Sequence, residues 1–586
     1  MAKLTSVGVG GSVVAVALLA LSLGAGCSGK IGNAGGGVGT GAGTGTGNAA
    51  GAGPGPGLGG TNGGATGVAG NGNVVTTPPA NAGAVVIRRL NHDEYNNTVR
   101  DLLGTSLTPA NGFPADDLGA EFDTVGSALS LSPGYVMAYE SAANALIADL
   151  FANATRKAKV VTCNVDTGGD ACAQTVLGAF ARRAWRRPVA ADELQGLMLP
   201  VTTARTQGLT PTDGIKAALA AVLLSPHFVF KVEIDPDPTS TQSRRIGAHE
   251  LATRLSYALW SSTPDDTLSA AADAGRLATD AQVVEQIDRM LADPRADTLL
   301  DAFAGEWLDY RTIDSHDVDP KVFPKSTPAL LASMRLEARR FVQEFLRSDT
   351  PAQQMLSARF TFVDSALATH YGLTRSGGTA SELVRVDTSS TNRSGLLTLG
   401  AFLTSTSMPN RTSPVKRGNF IFTRLLCGVI QQPPPDVPSL PEQDTTGLSV
   451  RQRLEAHRSK PECMPCHAIM DPLGFGLENY DGIGVYRTMD GTAPVDATGT
   501  LPDGKTTFNG AVELAAALSG DARFSACLTN KFMTFAVGRL LTQRDDAAWV
   551  NYLANQAIAS GGSLRAIIRT VMLSDGFRSR QALPPS

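Results

Sequence analysis

The chain has 586 residues, of which 42% are hydrophobic and 18% are charged, and its net charge is −4. At about 150 residues per domain, this length predicts roughly three or four compact units. The small net charge and the sequence pI of about 6.0 argue against a nucleic-acid-binding protein and against a polybasic membrane-surface protein. The unusual features are 62 glycines and seven cysteines.

The first 27 residues have the pattern of an export signal. A short, weakly basic start precedes an apolar segment at residues 13–23 and small residues before Cys27. This predicts a signal peptide of the lipoprotein type, in which Cys27 is acylated. Gly24 stands where the acylation motif usually has leucine, so ordinary cleavage without lipid stays open as an alternative. The apolar segment is shorter than the roughly 18–20 residues of a membrane span, and Ser28 favours sorting to the outer membrane.

Residues 28–80 consist almost wholly of Gly, Ala, Thr, Asn and Pro. Such a segment cannot bury enough apolar surface to offset the entropy lost on ordering. We predict a disordered tether with a root-mean-square span of about 40 Å. The tether would join a membrane anchor to a folded body that begins near Val85.

Export also predicts that thiols pair, because compartments outside the cytoplasm are oxidising. Apart from Cys27 and the two cysteines of the motif described below, four remain. We predict one disulfide between Cys163 and Cys172, across a turn-rich loop, and a long-range disulfide between Cys427 and Cys527. Four cysteines allow three connectivities, so the other two pairings stay open.

Apolar residues at helical spacing predict a mainly α-helical body. The clearest helix start is at Asn91, a capping residue with Glu94 at the capping-box position. Further helices are predicted after Pro133, from Cys172 to Pro188, at 214–224, 248–260, 283–291, 296–308, 329–346, 351–371, 448–457 and 528–541, and from Ser563. A small β-element is predicted within residues 486–510. The arginines at 182–187 indicate a solvated helix face that pairs with local acids, because the chain as a whole is not basic.

Residues 463–467 read Cys-Met-Pro-Cys-His, the C-x-x-C-H pattern of covalent c-type haem attachment. Two thiols one helical turn apart can each add to one vinyl group of a porphyrin, and the histidine that follows can ligate the iron. We therefore predict one covalent haem c on Cys463 and Cys466, with His467 as the proximal ligand. Two alternatives stay open. The thiols could form a disulfide or serve another structural use, or they could bind zinc together with His457.

The sequence leaves the sixth iron ligand undefined. Met470 lies one turn after His467 and is expected on the same side of the porphyrin, so it is excluded. The remaining weak candidates are Met408, Met489, His370 and His457. A methionine ligand would raise the reduction potential and favour electron transfer, whereas an open position would allow peroxide or oxygen chemistry.

Five sets of short segments form a recognisable series in chain order. They are residues 89–103, 180–188 with 225–230, 255–266 with 362–372, 411–418 with 463–487, and 527–539 with the terminal helix. The series resembles the planctomycete-type cytochrome c-like family, secreted bacterial proteins built from domains of unknown function. The resemblance covers about residues 85–580. It implies modules at 85–155, 165–235, 243–375, 390–500 and 508–582, the fourth being cytochrome c-like, and it implies no particular reaction.

Together these features predict an exported c-type haem lipoprotein with a mainly α, multi-module body. The first hypothesis is electron transfer in the periplasm or at the cell surface. It includes an unidentified redox or structural protein partner, membrane contact through the lipid, and no nucleic acid. One alternative is a haem enzyme of the peroxidase or oxidase type, so an oxidoreductase is the enzyme class expected, if any. Another is a non-redox binding or scaffold protein whose cysteine motif is structural or binds zinc.

Overall fold

A computed structural model gives the fold of most of the chain. The residues that it describes are 87–237, 240, 242–430, 449–457, 464–541 and 546–581. The predicted signal peptide with Cys27, the tether and Cys463 lie outside these ranges. The described part is mainly helical, which confirms the predicted fold class. None of its helices combines the length and the apolar character that a membrane span requires.

The first part of the body packs its helices around one apolar core. Its elements are β1 (Arg88–Arg89), α1 (His92–Leu103), a 3₁₀ turn (Pro109–Gly112), α2 (Pro133–Ala152), α3 (Ala154–Val160), α4 (Val165–Trp185), α5 (Ala191–Leu197), α6 (Leu199–Thr206), α7 (Pro211–Leu224), α8 (Pro226–Val229) and β2 (Phe230–Lys231). Strands β1 and β2 pair antiparallel. The predicted capping box of α1 is present, because the Asn91 side chain accepts from the Glu94 N–H at 2.8 Å and the Glu94 carboxylate accepts from the Asn91 N–H at 3.2 Å.

The predicted disulfide between Cys163 and Cys172 is present. The expected turn-rich loop between these cysteines is wrong, because α4 already begins at Val165. The Asn164 side chain caps this start by accepting a backbone N–H two residues later. The helix is kinked between the two cysteines at Gly169, whose φ of 56° is one that glycine adopts readily.

The arginines at the end of α4 pair with local acids, as their sequence context indicated. The ion pairs are Arg182–Asp273, Arg183–Asp266 and Arg187–Glu193. Arg186 differs from the others because it is buried and donates to the backbone carbonyls of His227, Phe228 and Phe230. This surface therefore consists of paired charges with one arginine turned inward.

The middle part contains β3 (Arg244–Arg245), α9 (Ala248–Trp260), α10 (Asp266–Asp273), α11 (Asp280–Ala292), a 3₁₀ turn (Pro294–Asp297), α12 (Thr298–Ala302), α13 (Ala304–Trp307), a 3₁₀ turn (Ile313–Ser315), α14 (Pro328–Leu346), α15 (Gln354–Ser357), β4 (Phe360–Val363), α16 (Ser365–Tyr371) and β5 (Val384–Asp387). The predicted helices at 248–260, 283–291 and 329–346 are confirmed. The predicted helix 296–308 is divided into a 3₁₀ turn and two short helices. The predicted helix 351–371 is wrong, because aromatic and β-branched residues form β4 inside it and pair antiparallel with β5.

The last part holds the cysteine motif. Its elements are a 3₁₀ turn (Leu396–Thr398), α17 (Gly400–Ser405), α18 (Pro414–Phe420), a π-helical turn (Ile421–Leu425), α19 (Val450–His457), α20 (Met464–Phe475), β6 (Met489–Asp490), β7 (Ala493–Pro494), β8 (Thr498–Thr500), β9 (Thr507–Asn509), α21 (Ala511–Ser519), α22 (Ala522–Val537), α23 (Ala547–Ala559), α24 (Leu564–Leu573), α25 (Asp575–Arg578) and β10 (Ser579–Arg580). The pairs β6–β7 and β8–β9 form the predicted small β-element. Helix α22 ends before the predicted 541, because Gly538 adopts φ of 71° and terminates it.

The predicted disulfide between Cys427 and Cys527 is also present and joins the end of the π-helical turn to α22. Beside it, the Trp307 indole N–H donates to the Arg424 carbonyl at 2.8 Å. The Arg424 guanidinium in turn donates to the carbonyls of Glu306 and Trp307. The disulfide therefore lies where α13, the π-helical turn and α22 meet.

A cluster of three carboxyl groups surrounds one guanidinium near α13. Arg311 donates to Asp93 at 2.6 Å, Asp123 at 3.1 Å and Glu306 at 2.7 Å. Burial and the neighbouring Asp123 carboxyl raise the pKa of Glu306 to about 9, and burial also raises the pKa of Asp123. Burial and the crowding of three carboxyl groups around one guanidinium therefore favour the protonated form of Glu306.

Replacing Glu306 with glutamine is expected to flatten the pH dependence of stability between about pH 5 and pH 9. A carboxyl group with a raised folded-state pKa binds its proton more tightly in the folded state. The contribution of the protonated Glu306 to the free energy of unfolding is fully present below the ordinary pKa of 4.5. It is lost as the pH rises toward 9. Urea unfolding at several pH values should show the wild type losing stability that the variant keeps. Glu344→Gln, which removes a half-exposed carboxylate, is the control; equal pH slopes for the two variants would contradict the prediction.

Candidate functional site

The described part of the cysteine motif, residues 464–467, lies at the start of a helix whose other end is buried. Helix α20 begins at Met464, which is 60% exposed, and carries Cys466 and His467, both partly buried. The second half of the helix, from Met470 to Phe475, is largely buried in the body. The first described residues of α20 are therefore open to solvent, while the rest of the helix is anchored in the core.

Helix α20 crosses α18 at backbone contact. A Cβ atom added to Gly418 would lie 1.8 Å from the Met470 carbonyl oxygen, and one added to Gly474 would lie 1.9 Å from the Pro414 carbonyl oxygen. Both positions therefore require glycine, because any side chain would push the two helices apart. This crossing fixes α20 against the segment that contains residues 411–418.

Arg417 anchors the chain that follows α20. Its side chain is fully buried, and its guanidinium donates to the carbonyls of Leu477 at 2.8 Å, Tyr480 at 2.9 Å and Asp481 at 2.8 Å. It also contacts the Glu478 carboxylate at 3.2 Å. Burial lowers the pKa of Arg417 to about 10, so it stays a cation at neutral pH. This one side chain holds the exit of the helix in place.

Glu478 is buried between two cations. Besides Arg417, it accepts from the Arg487 guanidinium at 2.9 Å and from the Thr412 hydroxyl at 2.7 Å. Arg487 also pairs with Asp490 at 2.9 Å. The network ties α18, the end of α20 and β6 into one rigid support for the motif.

The imidazole of His467 is oriented by a buried carboxylate one turn later. The Nδ1 atom of His467 lies 2.9 Å and 3.1 Å from the two carboxylate oxygens of Asp471. Asp471 is fully buried, and within the described ranges its carboxylate has no other hydrogen-bond or ion-pair partner. Because the i, i+4 spacing places both residues on one helix face, the pair forms within α20 itself. A ring that donates through Nδ1 presents Nε2 as its ligating nitrogen.

These residues fit a covalently attached haem. Cys466 and His467 are adjacent, partly buried residues near the start of α20, and Asp471 supports the ring as carboxylates support metal-ligating histidines in other proteins. In the part of the chain that the structure describes, no three or more His, Cys, Asp or Glu side chains are grouped so that they could hold a metal ion. Cys463 and the side chain of His457 lie outside that part.

The weak candidates for the sixth ligand occupy different settings. Met408 is half-buried in the turn before α18, and Met489 is 47% exposed in β6. His457 ends α19. His370 is buried, its Nε2 lies 2.7 Å from the Ile483 carbonyl oxygen, and burial lowers its pKa. To ligate iron through Nε2, His370 would have to give up that hydrogen bond.

Sequence reasoning missed Asp471 and Arg417. A local signal for Asp471 existed, because an acidic residue four positions after His467 in an otherwise apolar helix end predicts a paired carboxylate. No local signal existed for Arg417, whose carbonyl partner at Leu477 lies 60 residues later. Only the folded chain brings them together.

An open cavity of about 520 Å³ lies against the second half of α20. Its walls include Arg451 of α19, Pro472 and Phe475 of α20, Thr498 of β8 and Asn509 of β9. The Arg451 guanidinium lies over the Phe475 ring, 4.1 Å from its centroid. The helix that carries the motif therefore also forms one wall of a mixed polar and apolar cavity.

The described body is mainly helical, carries two disulfides and holds Cys466 and His467 near the start of α20. Five family models match the chain in order, each described as a protein of unknown function: DUF1587 at 88–152, DUF1595 at 172–233, DUF1592 at 246–373, DUF1588 at 393–490 and DUF1585 at 504–577. This is the architecture of the planctomycete cytochrome c-like multi-module family, and the chain belongs to that family. Searches of curated proteins and of solved structures gave no match.

Proposed function

We propose that this protein carries one haem c, bound through Cys463 and Cys466 with His467 as the proximal iron ligand, and that it transfers electrons. Membership of the cytochrome c-like family supports a haem protein in general. The observation that carries the proposal is the buried Asp471 carboxylate directed at Nδ1 of His467.

The electrostatics of this pair favour a metal ligand. Among the described residues, the buried Asp471 carboxylate contacts the His467 ring and no other polar side chain, and a buried carboxylate is stabilised by positive charge close to it. A cation bound through the opposite ring nitrogen offsets that charge, as at other carboxylate–histidine–metal sites. If the two thiols formed a purely structural disulfide, no cation would be bound through His467, and the pairing of His467 with Asp471 would support no metal. The adjacency of Cys466 and His467 favours haem over zinc, because the C-x-x-C-H order is the haem-attachment pattern and zinc ligands are usually spaced apart.

The protein's own residues would position the cofactor for electron transfer. A haem held here supplies one-electron chemistry through its iron. Cys466 would tether it to the first turn of α20, and His467 would approach the iron in the orientation that Asp471 sets. The contacts made by Gly418, Gly474 and Arg417 would hold α20 in place. His467 would then keep its position when the haem iron changes its oxidation state. The exposed first turn leaves the site within reach of a redox partner.

The proposal includes export and membrane attachment. Haem c is attached outside the cytoplasm, and two disulfides suit an oxidising compartment. We place the protein in the periplasm or at the cell surface, with acylated Cys27 in the outer membrane and residues 28–80 as its tether. The partner would be a redox protein that docks at the exposed start of α20, and no nucleic acid is involved.

Ligand binding to the reduced protein tests the electron-transfer proposal. With both axial positions filled, the ferrous protein is expected to bind carbon monoxide slowly or not at all and to titrate reversibly by one electron. His467→Gln is the matched comparison, because it removes the proximal ligand while leaving both thiols for attachment. Rapid carbon monoxide binding by the wild type would contradict electron transfer as the primary role.

A second candidate is a haem enzyme of the peroxidase or oxidase type, and the cavity against α20 favours it. If that cavity holds a substrate, Asn509→Trp, which places a large ring in the cavity wall, should obstruct the cavity and lower turnover of small electron donors with peroxide. The same variant should keep its covalent haem. Turnover unchanged by Asn509→Trp would remove the reason for this second candidate.

A further inference from the structure

We propose that Asp471 is a positioning residue that fixes the hydrogen of His467 on Nδ1 and lowers the reduction potential of the haem that His467 ligates. This inference rests on the proposed function, because it concerns the same iron ligand. It goes beyond that function by naming the residue that lowers the reduction potential and so makes the haem a better electron donor.

The geometry leaves Asp471 few other roles. Its carboxylate is fully buried, both oxygens lie within 3.1 Å of one ring nitrogen, and no other described residue hydrogen-bonds to it. It does not cap its helix, since it lies in the middle of α20 (Met464–Phe475). The helix itself is held by the glycine crossing with α18, and the Asp471 side chain is fully buried beside it.

The charge on Asp471 has a predictable effect on the iron. A negative charge behind the imidazole makes Nε2 a stronger electron donor than a ring supported by a neutral backbone carbonyl. Stronger donation and the added negative charge both stabilise the ferric state more than the ferrous state. The haem would then give up an electron readily, which suits a donor to acceptors of higher potential.

Asp471→Asn tests this directly, because asparagine keeps the shape and removes the charge. In the haem-loaded full chain, the variant is expected to shift the ferric–ferrous equilibrium toward ferrous by about tenfold, a size taken from the lower end of the change in metal affinity that loss of such a support usually causes. For one electron, tenfold corresponds to about 59 mV, read by spectroelectrochemical titration. Asp503→Asn is the charge-matched control, since the hydrogen bonds that Asp503 makes with described residues lie within its own turn, to Lys505 and Thr506.

A second readout needs no haem. The chain has seven histidines, so histidine labelled with ¹⁵N in the full chain, produced without haem maturation, gives a tractable spectrum. His467→Gln assigns the signal of His467. With the ring neutral, the wild type is expected to show hydrogen on Nδ1, and Asp471→Asn is expected to shift the tautomer population toward Nε2.

The two readouts separate the possible failures. A potential and a tautomer that are both unchanged in Asp471→Asn would overturn the role of Asp471 and leave the haem function standing. A wild type without covalent haem would overturn the proposed function, and the tautomer measurement would still decide whether Asp471 fixes the ring. Changes in Asp471→Asn that Asp503→Asn does not reproduce support the proposal.

Discussion

Replacing Arg417 with methionine is expected to lower the free energy of unfolding by about 3–5 kcal/mol, the usual cost of breaking a buried ion pair. The guanidinium holds the carbonyls of Leu477, Tyr480 and Asp481, and methionine offers none of them a donor. Glu478 would also lose one of its two cations in a buried setting. Because these contacts fix the exit of α20, haem incorporation should fall together with stability. Urea unfolding of the full chain, followed by tryptophan fluorescence, measures the change.

Two further variants serve as comparisons for Arg417→Met. Arg523→Met removes an arginine that is 43% exposed and pairs with Asp521, and it should cost only about 0.2–1 kcal/mol. Arg417→Lys keeps the charge but not the planar fork of donors, so an intermediate loss is expected. An Arg417→Met protein no less stable than Arg523→Met would show that the buried network does not hold the site.

Removing the disulfide between Cys427 and Cys527 is expected to have an effect of similar size. The two cysteines are 100 residues apart, and in the chain-entropy description closing a loop of that length stabilises the fold by about 4.7 kcal/mol. The loop includes the whole cysteine motif. The double substitution to alanine should therefore lower the urea midpoint strongly and reduce the yield of haem-loaded protein.

The other disulfide provides the comparison. Cys163 and Cys172 are only nine residues apart, for which the same description gives about 2.6 kcal/mol. This double substitution should cost less, and it should leave haem content unchanged because it lies in a different part of the chain. A loss equal to or larger than that for Cys427 and Cys527 would contradict the prediction.

The features that could be read from the sequence are those that depend on neighbours along the chain. The cap of α1 at Asn91 and Glu94 follows from residues three positions apart. The start of α24 at Ser563 follows in the same way, since its side chain accepts from the Ala566 N–H. The predicted helix 351–371 failed because β4 pairs with β5 some 20 residues later, and such pairing overrides local spacing.

The same distinction applies to the residues of the site: those that depend on neighbours along the chain could be predicted, and those that depend on distant partners could not. The roles predicted for Cys463, Cys466 and His467 rest on the C-x-x-C-H pattern, because covalent attachment of haem requires these residue types in this order. Asp471 could have been found from its i, i+4 spacing, because both partners lie in one helix. The support by Arg417 depends on a partner distant in sequence, and no periodicity reports such a contact.

Covalent haem content is the most direct measurement of the proposal that the motif holds haem c. The full chain should be exported in a host that matures c-type cytochromes, then denatured, extracted with acidified solvent and weighed by intact mass. We predict a mass increase of one haem per chain for the wild type and for His467→Gln, and none when Cys463 and Cys466 are both alanine. A wild-type chain that carries no covalent haem, with its two thiols joined to each other or bound to zinc, would contradict it.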